Sequence, residues 1–496
     1  MSGPLRLVPD EGTPGWAEET MRLRTLPPRR RGRSAAPPEV CPDPLDELAE
    51  RLAEVCADAV HPFEIAAFLE SDGLTDEQAA LVYGRPDAFT LAEDLFAKVA
   101  RRYPGAPTGT NPWQADPWRC VLRGLVFALP GLGYLLGADL FAAQRLRFGL
   151  PSGMAALAVA TLVSWAFNQA LAHRAYSWLS LTDRRSSGRT LALGAPLGAL
   201  LAAGCGWVVG GPLDALLFVI GQSCYLGAAT VLLVLGQEKL LLAALAPASA
   251  GAVVVLAVHL PPWVRAAILL ATLAAAVGLA GWQLYRCCAG AGNRADGPVW
   301  SATWAAGLFG LAVGTMTLIA GLGPQLHHAV RPHAPAGATA TGPALAALTL
   351  SLGLAEWLLY RYRSLATRAL ATSASPGEFR RRTALALAGC LLGYLSFVAA
   401  LAFAADALWR GAPKIGPIQL TDLLLLAAAL WTALLLQALS VAWRTAGLCL
   451  AAAGYELTAV LTGADPGTVQ QYGCGAAAVL LVPLAVVVLG RTTRHR

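Results

Sequence analysis

The residues of this sequence that could do chemistry are few, and most of them interrupt long apolar runs. Amides and hydroxyls gather in FVIGQSCYLG, which holds Gln222, Ser223 and Tyr225, and a second amide pair, Asn168 and Gln169, stands in another apolar run. Uncharged groups of this kind either bond neighbouring helices, for about 0.6 kcal/mol each, or line a hydrophilic cavity that accepts sugars. The sequence leaves both alternatives open, and these five residues are candidates for a substrate pathway.

Three ionisable residues complete the candidate pathway. Glu356 precedes Arg361 by five residues, about 7.5 Å along a helix, so its carboxylate can reach a membrane interface or pair with an arginine. Glu456 and Arg123 also stand near the ends of apolar runs, as does Asp422. An ionised side chain at the bilayer centre costs at least about 2.5–3.5 kcal/mol, so we expect these residues to anchor helix ends at the interface. The sequence therefore predicts no carboxylate relay of the kind that proton antiporters use.

No pattern in the sequence predicts catalysis, a metal site or a cofactor. Paired carboxylates and a His-centred motif that would support an enzymatic reaction are not found, so we predict a protein that is not an enzyme. The ten cysteines are scattered without a CxxC spacing, which favours reduced, apolar packing residues. No nucleic-acid partner is predicted either.

The composition indicates an integral membrane protein. The chain has 496 residues, of which 56% are hydrophobic and 14% charged. Soluble domains average roughly 45–50% apolar and about 25% charged residues. The first residues, MSGPLRLVPDEGTPGW, contain no apolar core of a signal peptide, so we expect the front end to stay in the cytoplasm.

The front of the chain divides into a tail, a small helical domain and a linker. Residues 1–42 are rich in proline and arginine and predict a disordered tail, because they can bury little apolar surface. Residues 43–104 predict a small cytosolic domain of short amphipathic helices, with capping boxes at Thr75–Gln78 and Thr90–Glu93. This domain is either a partner-binding module or a passive cap on the membrane region. Residues 105–117 form the linker.

The remainder predicts an all-α membrane domain of about twelve transmembrane helices in two six-helix halves, residues 118–290 and 291–490, followed by a basic tail, 491–496. A span needs about 20 apolar residues. The tight breaks GQEK and AWRT follow the fourth and tenth spans, with Lys239 facing headgroups in the first, and Pro130 should kink span one. The excess of arginine in alternate loops predicts that both termini are cytoplasmic in a multi-pass protein of a bacterial plasma membrane.

Two transporter families share this layout. The loop LSLTDRRSSGRTLALG resembles, in part, the loop between spans two and three of major facilitator transporters. Over about residues 118–490, the span count and the hairpins GQEK and AWRT resemble polysaccharide exporters of the multidrug/oligosaccharidyl-lipid/polysaccharide flippase superfamily. The front segment HPFEIAAFLESDGLTDEQAALVYGRPDAFTLAEDLF is similar to segments of membrane proteins from high-GC actinobacteria.

The resemblance implies a membrane transporter that flips or exports a polysaccharide or a lipid-linked glycan by alternating access. The expected partners are membrane lipids, the glycan or lipid-linked substrate, and a cytosolic glycan-synthesis protein that meets the front domain. Two alternatives stay open. One is a non-transporting membrane scaffold that recruits partners through its cytosolic helices, and the other is a major facilitator-type transporter of small solutes.

Overall fold

The computed structural model describes residues 43–100, 117–141, 146–147, 150–289, 297–331, 342–408 and 414–491. The predicted tail 1–42, the linker as far as residue 116 and residues 492–496 of the basic tail lie outside this part of the chain. The chain divides into a front unit, within residues 9–110, and a membrane unit that follows it.

The described part of the front unit contains five short helices around one small core. Their bounds are α1 Pro44–Arg51, α2 Ala53–Asp58, α3 Pro62–Ser71, α4 Asp76–Tyr83 and α5 Ala88–Lys98. Leu48, Ile65, Leu91 and Leu95 are buried at the centre of the core. Because so few residues are buried, the core is thin, as expected for about sixty residues.

The helix ends of the front unit test the predicted caps. The capping box at Thr75 and Gln78 is confirmed, and Gly84 ends α4 in the left-handed conformation. The capping box predicted at Thr90 is wrong. Asp87 caps α5 instead, because its carboxylate accepts hydrogen bonds from the Thr90 backbone N–H at 2.7 Å and from the Thr90 hydroxyl.

The first set of helices in the membrane unit lies between residues 117 and 288. The helices are α6 Pro117–Ala128, α7 Pro130–Gly137, α8 Ser152–Ser180, α9 Arg184–Val209, α10 Leu213–Val234, α11 Glu238–Ala257 and α12 Pro262–Cys288. A 3-10 turn, Ala138–Phe141, and two paired strands, β1 Leu146–Arg147 and β2 Leu150–Pro151, lie between α7 and α8. The break between α6 and α7 falls at Pro130, as predicted, since proline has no N–H to continue the ladder.

The second set of helices lies between residues 300 and 489. The helices are α13 Trp300–Val330, α14 Gly342–Leu350, α15 Leu352–Thr372, α16 Pro376–Leu408, α17 Pro417–Ala438, α18 Ala442–Leu461 and α19 Pro466–Leu489. A bend of 44° separates α14 from α15. At the bend the Ser351 hydroxyl donates to the Leu348 carbonyl and contacts the Tyr394 hydroxyl, and such side-chain bonds to the backbone favour a bend.

The membrane unit is an all-α polytopic structure. Within the described residues, ten helices are long and apolar enough to cross a membrane, or eleven when α14 and α15 count as one span. The helix α18, which carries Arg444 and Glu456, is not among them. The count of twelve crossings stays a prediction.

The helices of the membrane unit repeat one packing pattern. We assign position 1 to α6/α7 and α13, position 2 to α8 and α14/α15, and positions 3 to 6 to α9–α12 and α16–α19. In both sets position 4 packs against positions 3 and 6, and position 5 packs against positions 1 and 6. The largest apolar core lies wholly in the second set and the next largest wholly in the first.

The turns between positions 4 and 5 of the two sets have the same backbone geometry, but only the first falls where it is predicted, at GQEK. The second turn is at Ser440 and Val441, and AWRT, residues 442–445, lies inside α18. Gly236 and Ser440 both have positive φ, 71° and 64°, and the following residues, Gln237 and Val441, have φ and ψ of −102°, 46° and −100°, 48°. In each hairpin the positive-φ residue donates its N–H three residues back and its successor donates five residues back. This Schellman arrangement ends position 4 and starts position 5 in both sets.

Candidate functional site

The first and second sets of helices are the two halves of the membrane unit. In the described residues the halves meet along two seams. At the first seam α8, position 2, packs against α13, position 1. A side chain at Gly310 would place its Cβ 2.7 Å from Gln169 Cγ, and one at Gly314 would place it 2.8 Å from the Trp165 ring. Glycines at this spacing share one helix face, and they let α8 approach α13 closely.

At the second seam α6, position 1, packs against α14 and α15, position 2. A Cβ at Gly353 would lie 2.8 Å from the Cys120 carbonyl and 3.1 Å from Gly124 Cα, so the two backbones are in direct contact. Both seams therefore join position 1 of one half to position 2 of the other. Glycine is required at each because a larger side chain would separate the helices.

A charge network crosses the second seam. The Arg123 guanidinium, on α6, donates from Nε to Glu238 Oε1 at 2.9 Å and from an Nη atom to Glu356 on α15. The Glu238 and Glu356 side chains are largely buried, and Arg123 is about one-fifth exposed. Arg119, which is more exposed, lies 3.6 Å from Glu238. One arginine thus holds a carboxylate from its own half and a carboxylate from the other half.

Tyrosines surround this network. Tyr176 and Tyr360 lie within electrostatic range of Arg123, and the Tyr176 hydroxyl donates to the Leu233 carbonyl at 3.3 Å. The polar surroundings of Arg123 therefore include two tyrosines as well as the two carboxylates. Buried ion pairs keep their form only when their remaining polar groups are satisfied in this way.

The second half contains a different polar cluster, the carboxyl cluster, on α17, α18 and α19. It consists of Asp422, Glu456, Gln470 and Cys474, and all four side chains are fully buried. The Cys474 thiol donates to Glu456 Oε1 at 3.2 Å, while Glu456 Oε2 has no hydrogen-bond partner among the described residues. The carboxyl of Asp422 lies within electrostatic range of the same thiol. Two acidic side chains are therefore buried here without a cation near them in the described part of the chain.

The remaining groups of the carboxyl cluster are also unsatisfied. Both polar atoms of the Gln470 side chain lack partners, and Gln471 approaches Asp422 without normal hydrogen-bond geometry to either carboxyl oxygen, within the residues that the structure describes. Gln470 stands one helical turn before Cys474, on the same face of α19. A Cβ at Gly473 would lie 2.4 Å from Glu456 Oε1, so the absence of a side chain there gives Glu456 its place. Buried polar atoms without partners are uncommon and need an explanation.

No family model, curated protein or solved structure matches this chain. The helix packing, the charge network and the carboxyl cluster are the observations on which a function can be based.

The structure brings some of the predicted residues together and separates the others. Arg123 and Glu356, which the sequence treats as independent anchors, form one ion pair across the second seam. Gln169 lies at the first seam against Gly310. The prediction that Glu456 and Asp422 anchor helix ends at the interface is wrong, because both are completely buried by neighbouring helices of the second half.

The other four predicted residues lie in the first half and do not form one group. Gln222 donates to the Tyr134 hydroxyl on α7 at 2.6 Å, whereas the Ser223 hydroxyl bonds the Val219 carbonyl in its own helix. Tyr225 belongs to the apolar core of the first half. Asn168 is buried on α8. Gln222 therefore bonds a neighbouring helix and Ser223 bonds its own helix, and the two side chains do not share a polar surface with the other predicted residues.

Sequence reasoning missed two residues whose roles depend on distant partners. Glu238 sits in the GQEK hairpin and looks like a surface residue, yet it is buried against Arg123, whereas its neighbour Lys239 is exposed. Gln470 is the fifth residue of α19, and the sequence around it resembles an ordinary helix start. A hint was available for Glu238, because Arg119 and Arg123 are one turn apart and need acidic partners.

Proposed function

We propose that this protein is a membrane transporter that moves a polysaccharide or a lipid-linked glycan by alternating access between its two halves. The proposal is based on the repeated packing of six helix positions, with two equivalent seams between the halves. Such halves can rock against each other, because each keeps its own apolar core while the seams change. The glycan as substrate class remains an inference from the resemblance described above.

In this mechanism the charge network closes one side of the path between the halves. When the second seam opens, the bond between Arg123 and Glu356 breaks, because these residues belong to different halves. The bond between Arg123 and Glu238 is retained, since both residues belong to the first half. Glu238 therefore keeps the arginine paired in the open state, so that only Glu356 has to be solvated by water. This lowers the cost of opening relative to an isolated ion pair.

The carboxyl cluster is suited to couple transport to protons. An ionised carboxylate that is buried without a partner is costly, so Asp422 and Glu456 are favoured in their neutral, protonated forms in this state. Release of the protons requires water to reach the cluster between α17, α18 and α19 of the second half, because these helices do not form either seam. The energy source proposed for the rocking motion is therefore a proton gradient.

A disulfide across the first seam tests the rocking motion. Ala170 Cβ lies 3.3 Å from the Cβ that a side chain at Gly307 would have, and Cβ atoms in disulfides are about 3.5–4.5 Å apart. The variant A170C/G307C joins α8 to α13, whereas the matched variant A195C/G227C, with the equivalent distance of 3.6 Å, joins α9 to α10 inside one half. Surface glycan is measured by lectin binding in cells whose chromosomal gene is deleted.

Oxidation of A170C/G307C should abolish glycan export, and a reductant should restore it, because the bond prevents the halves from separating. Oxidation of A195C/G227C should leave export unchanged. If the cross-half disulfide forms quantitatively and export continues, alternating access is wrong. If the gene deletion itself leaves every surface glycan in place, the substrate class is wrong and the motion is not addressed.

The carboxyl cluster is tested by E456Q and D422N, which keep the shape of each side chain and remove the titrating group. Both variants should be as stable as the original protein, since no buried ion pair is lost, but export should fall at least about tenfold. Infrared difference spectroscopy on the purified protein should show the C=O band of protonated carboxyls, which E456Q and D422N should each weaken and the double variant E456Q/D422N should lack. A band that persists in the double variant would contradict the assignment.

A further inference from the structure

The front unit presents an exposed aromatic patch, which we define as Val60, His61, Phe63 and Phe89. The Phe63 side chain, at the start of α3, packs edge-on against Phe89, at the start of α5, with ring centroids 5.7 Å apart. The His61 ring contacts Phe63 at 4.5 Å. Phe63 is 60% exposed and Phe89 47% exposed, although the inner faces of the same helices fill the small core. Two exposed phenylalanines in contact are typical of an interaction surface rather than of a solvated face.

The surroundings of the aromatic patch are strongly acidic. Residues 43–100 contain fourteen acidic residues and three basic ones, a net charge of −11. Two of the three basic residues are already paired inside the unit, Arg85 with Asp94 and Lys98 with Asp46. Within residues 43–100 the excess negative charge is therefore not compensated.

Several of these carboxylates border the aromatic patch. Glu64 follows Phe63 and accepts a hydrogen bond from the Val60 N–H at 2.9 Å, and Glu93 stands one helical turn after Phe89. Asp87 lies two residues before Phe89. Hydrogen bonds from the Thr90 backbone N–H and hydroxyl hold the pKa of Asp87 below its usual value, so this carboxylate stays ionised at neutral pH.

We propose that the aromatic patch and its acidic border bind a basic amphipathic helix of a soluble partner protein. The apolar side of such a helix covers Phe63 and Phe89, and its lysines and arginines meet the carboxylates at the border. A membrane surface fits less well. Anionic lipid headgroups would repel a unit of this charge, whereas a basic peptide is attracted to it.

The test uses the full-length protein in nanodiscs of zwitterionic phosphatidylcholine and a fluorescent synthetic helix as probe. The probe has about 18 residues, with leucines at i, i+3, i+4 and i+7 spacing and lysines and arginines on the opposite face. Binding is measured by fluorescence anisotropy, and the signal of empty discs is subtracted. We expect saturable binding that weakens as salt is raised, and no binding of a probe whose basic residues are replaced by glutamate.

The variants F63S and F89S should each weaken binding of the basic probe at least about tenfold, because aromatic anchors dominate interfaces of this kind. The matched control is L81S, which removes an apolar side chain that is 88% exposed and lies outside the defined patch. Its affinity should equal that of the original protein. Circular dichroism of each variant, compared with the original, checks that the fold is retained.

Three results would overturn the proposal. The first is that the basic probe fails to bind the full-length protein, as expected if another part of the chain covers the patch. The second is that binding of the probe is unchanged in F63S and F89S, which places the binding site elsewhere on the protein. The third is that the protein self-associates through the patch, detected without any probe as a concentration-dependent mass that F63S abolishes. None of these results depends on whether the membrane unit transports a glycan.

Discussion

The two halves of the membrane unit share one packing pattern but use buried charge in opposite ways. In the first half Arg123 is paired with Glu238, and the pair extends across the seam to Glu356. In the second half Asp422 and Glu456 are buried without a basic partner in the described part of the chain. A repeated backbone therefore does not impose a repeated chemistry. A paired charge can hold two elements together, whereas an unpaired acid must take up a proton or a ligand to remain buried.

The hairpins that start position 5 illustrate the same divergence. Their two turn residues have matching backbone angles, yet Glu238 opens α11 while Ala442 opens α18. In the first half the acidic side chain of the hairpin lies within reach of Arg123. In the second half the acidic residue of position 5 is Glu456, far along α18, and its nearest polar contact is the Cys474 thiol. The repeat thus provides a common scaffold, and the side chains make each half different.

The largest expected effect is the loss of the arginine at the charge network. The variant R123M should lower the free energy of unfolding by about 3–5 kcal/mol, because it leaves the buried Glu356 carboxylate without a partner and Glu238 with only the more exposed Arg119. Thermal unfolding in detergent measures the change. The triple variant R123M/E238Q/E356Q should recover most of the loss, since its amides carry no charge.

The matched control for R123M is R119M. Arg119 is mostly exposed and lies 3.6 Å from Glu238, so its removal should change stability by less than about 1 kcal/mol. Equal destabilisation by R119M and R123M would show that the charge network does not join the halves as described.

A smaller effect is expected from a methyl group beside the carboxyl cluster. In G473A the new Cβ would lie 2.4 Å from Glu456 Oε1, so Glu456 must move, at a cost of about 1–3 kcal/mol. In G475A, two residues further along the same helix, the nearest atom is Leu425 Cδ1 at 3.7 Å, an ordinary contact. Chemical denaturation of the two variants compares them. If G475A costs as much as G473A, the close contact with Glu456 is not the cause.

The smallest effect concerns one hydrogen bond between helices in each half. The variant Y134F removes the acceptor of Gln222 in the first half, and Y394F removes the partner of Ser351 in the second. Each should cost about 0.6 kcal/mol, the typical value of a hydrogen bond between membrane helices. Thermal unfolding should therefore give similar small shifts for both variants. A shift for Y134F as large as that for R123M would mean that Gln222 has a role beyond helix bonding.

Several features of this protein could be predicted from local sequence. The apolar runs predict long helices, because a bilayer satisfies no backbone hydrogen bonds and only helices of sufficient length satisfy their own. Pro130 predicts the break between α6 and α7, and Thr75 with Gln78 predicts the start of α4. The hairpin at Gly236 was also predictable, because few residues separate two apolar runs there. Each of these features depends on residues that are neighbours in sequence.

The polar contacts could not be predicted in the same way. Arg123 and Glu356 are separated by 233 residues and Arg123 and Glu238 by 115, so no local pattern pairs them. For Glu456 and Asp422 the sequence favoured interface anchoring, since that is the cheapest place for a charge on a single helix. Burial depends on neighbouring helices, and α17, α18 and α19 cover both side chains from several sides.

The sequence by itself determined the long apolar helices of the membrane unit and the hairpin at Gly236, since hydrophobicity and turn chemistry act over a few residues. Only the tertiary structure decided which charges are paired and which are buried alone. The physical reason is that the energy of a buried charge is set by atoms a few ångströms away in space, and in this protein those atoms belong to helices distant in sequence.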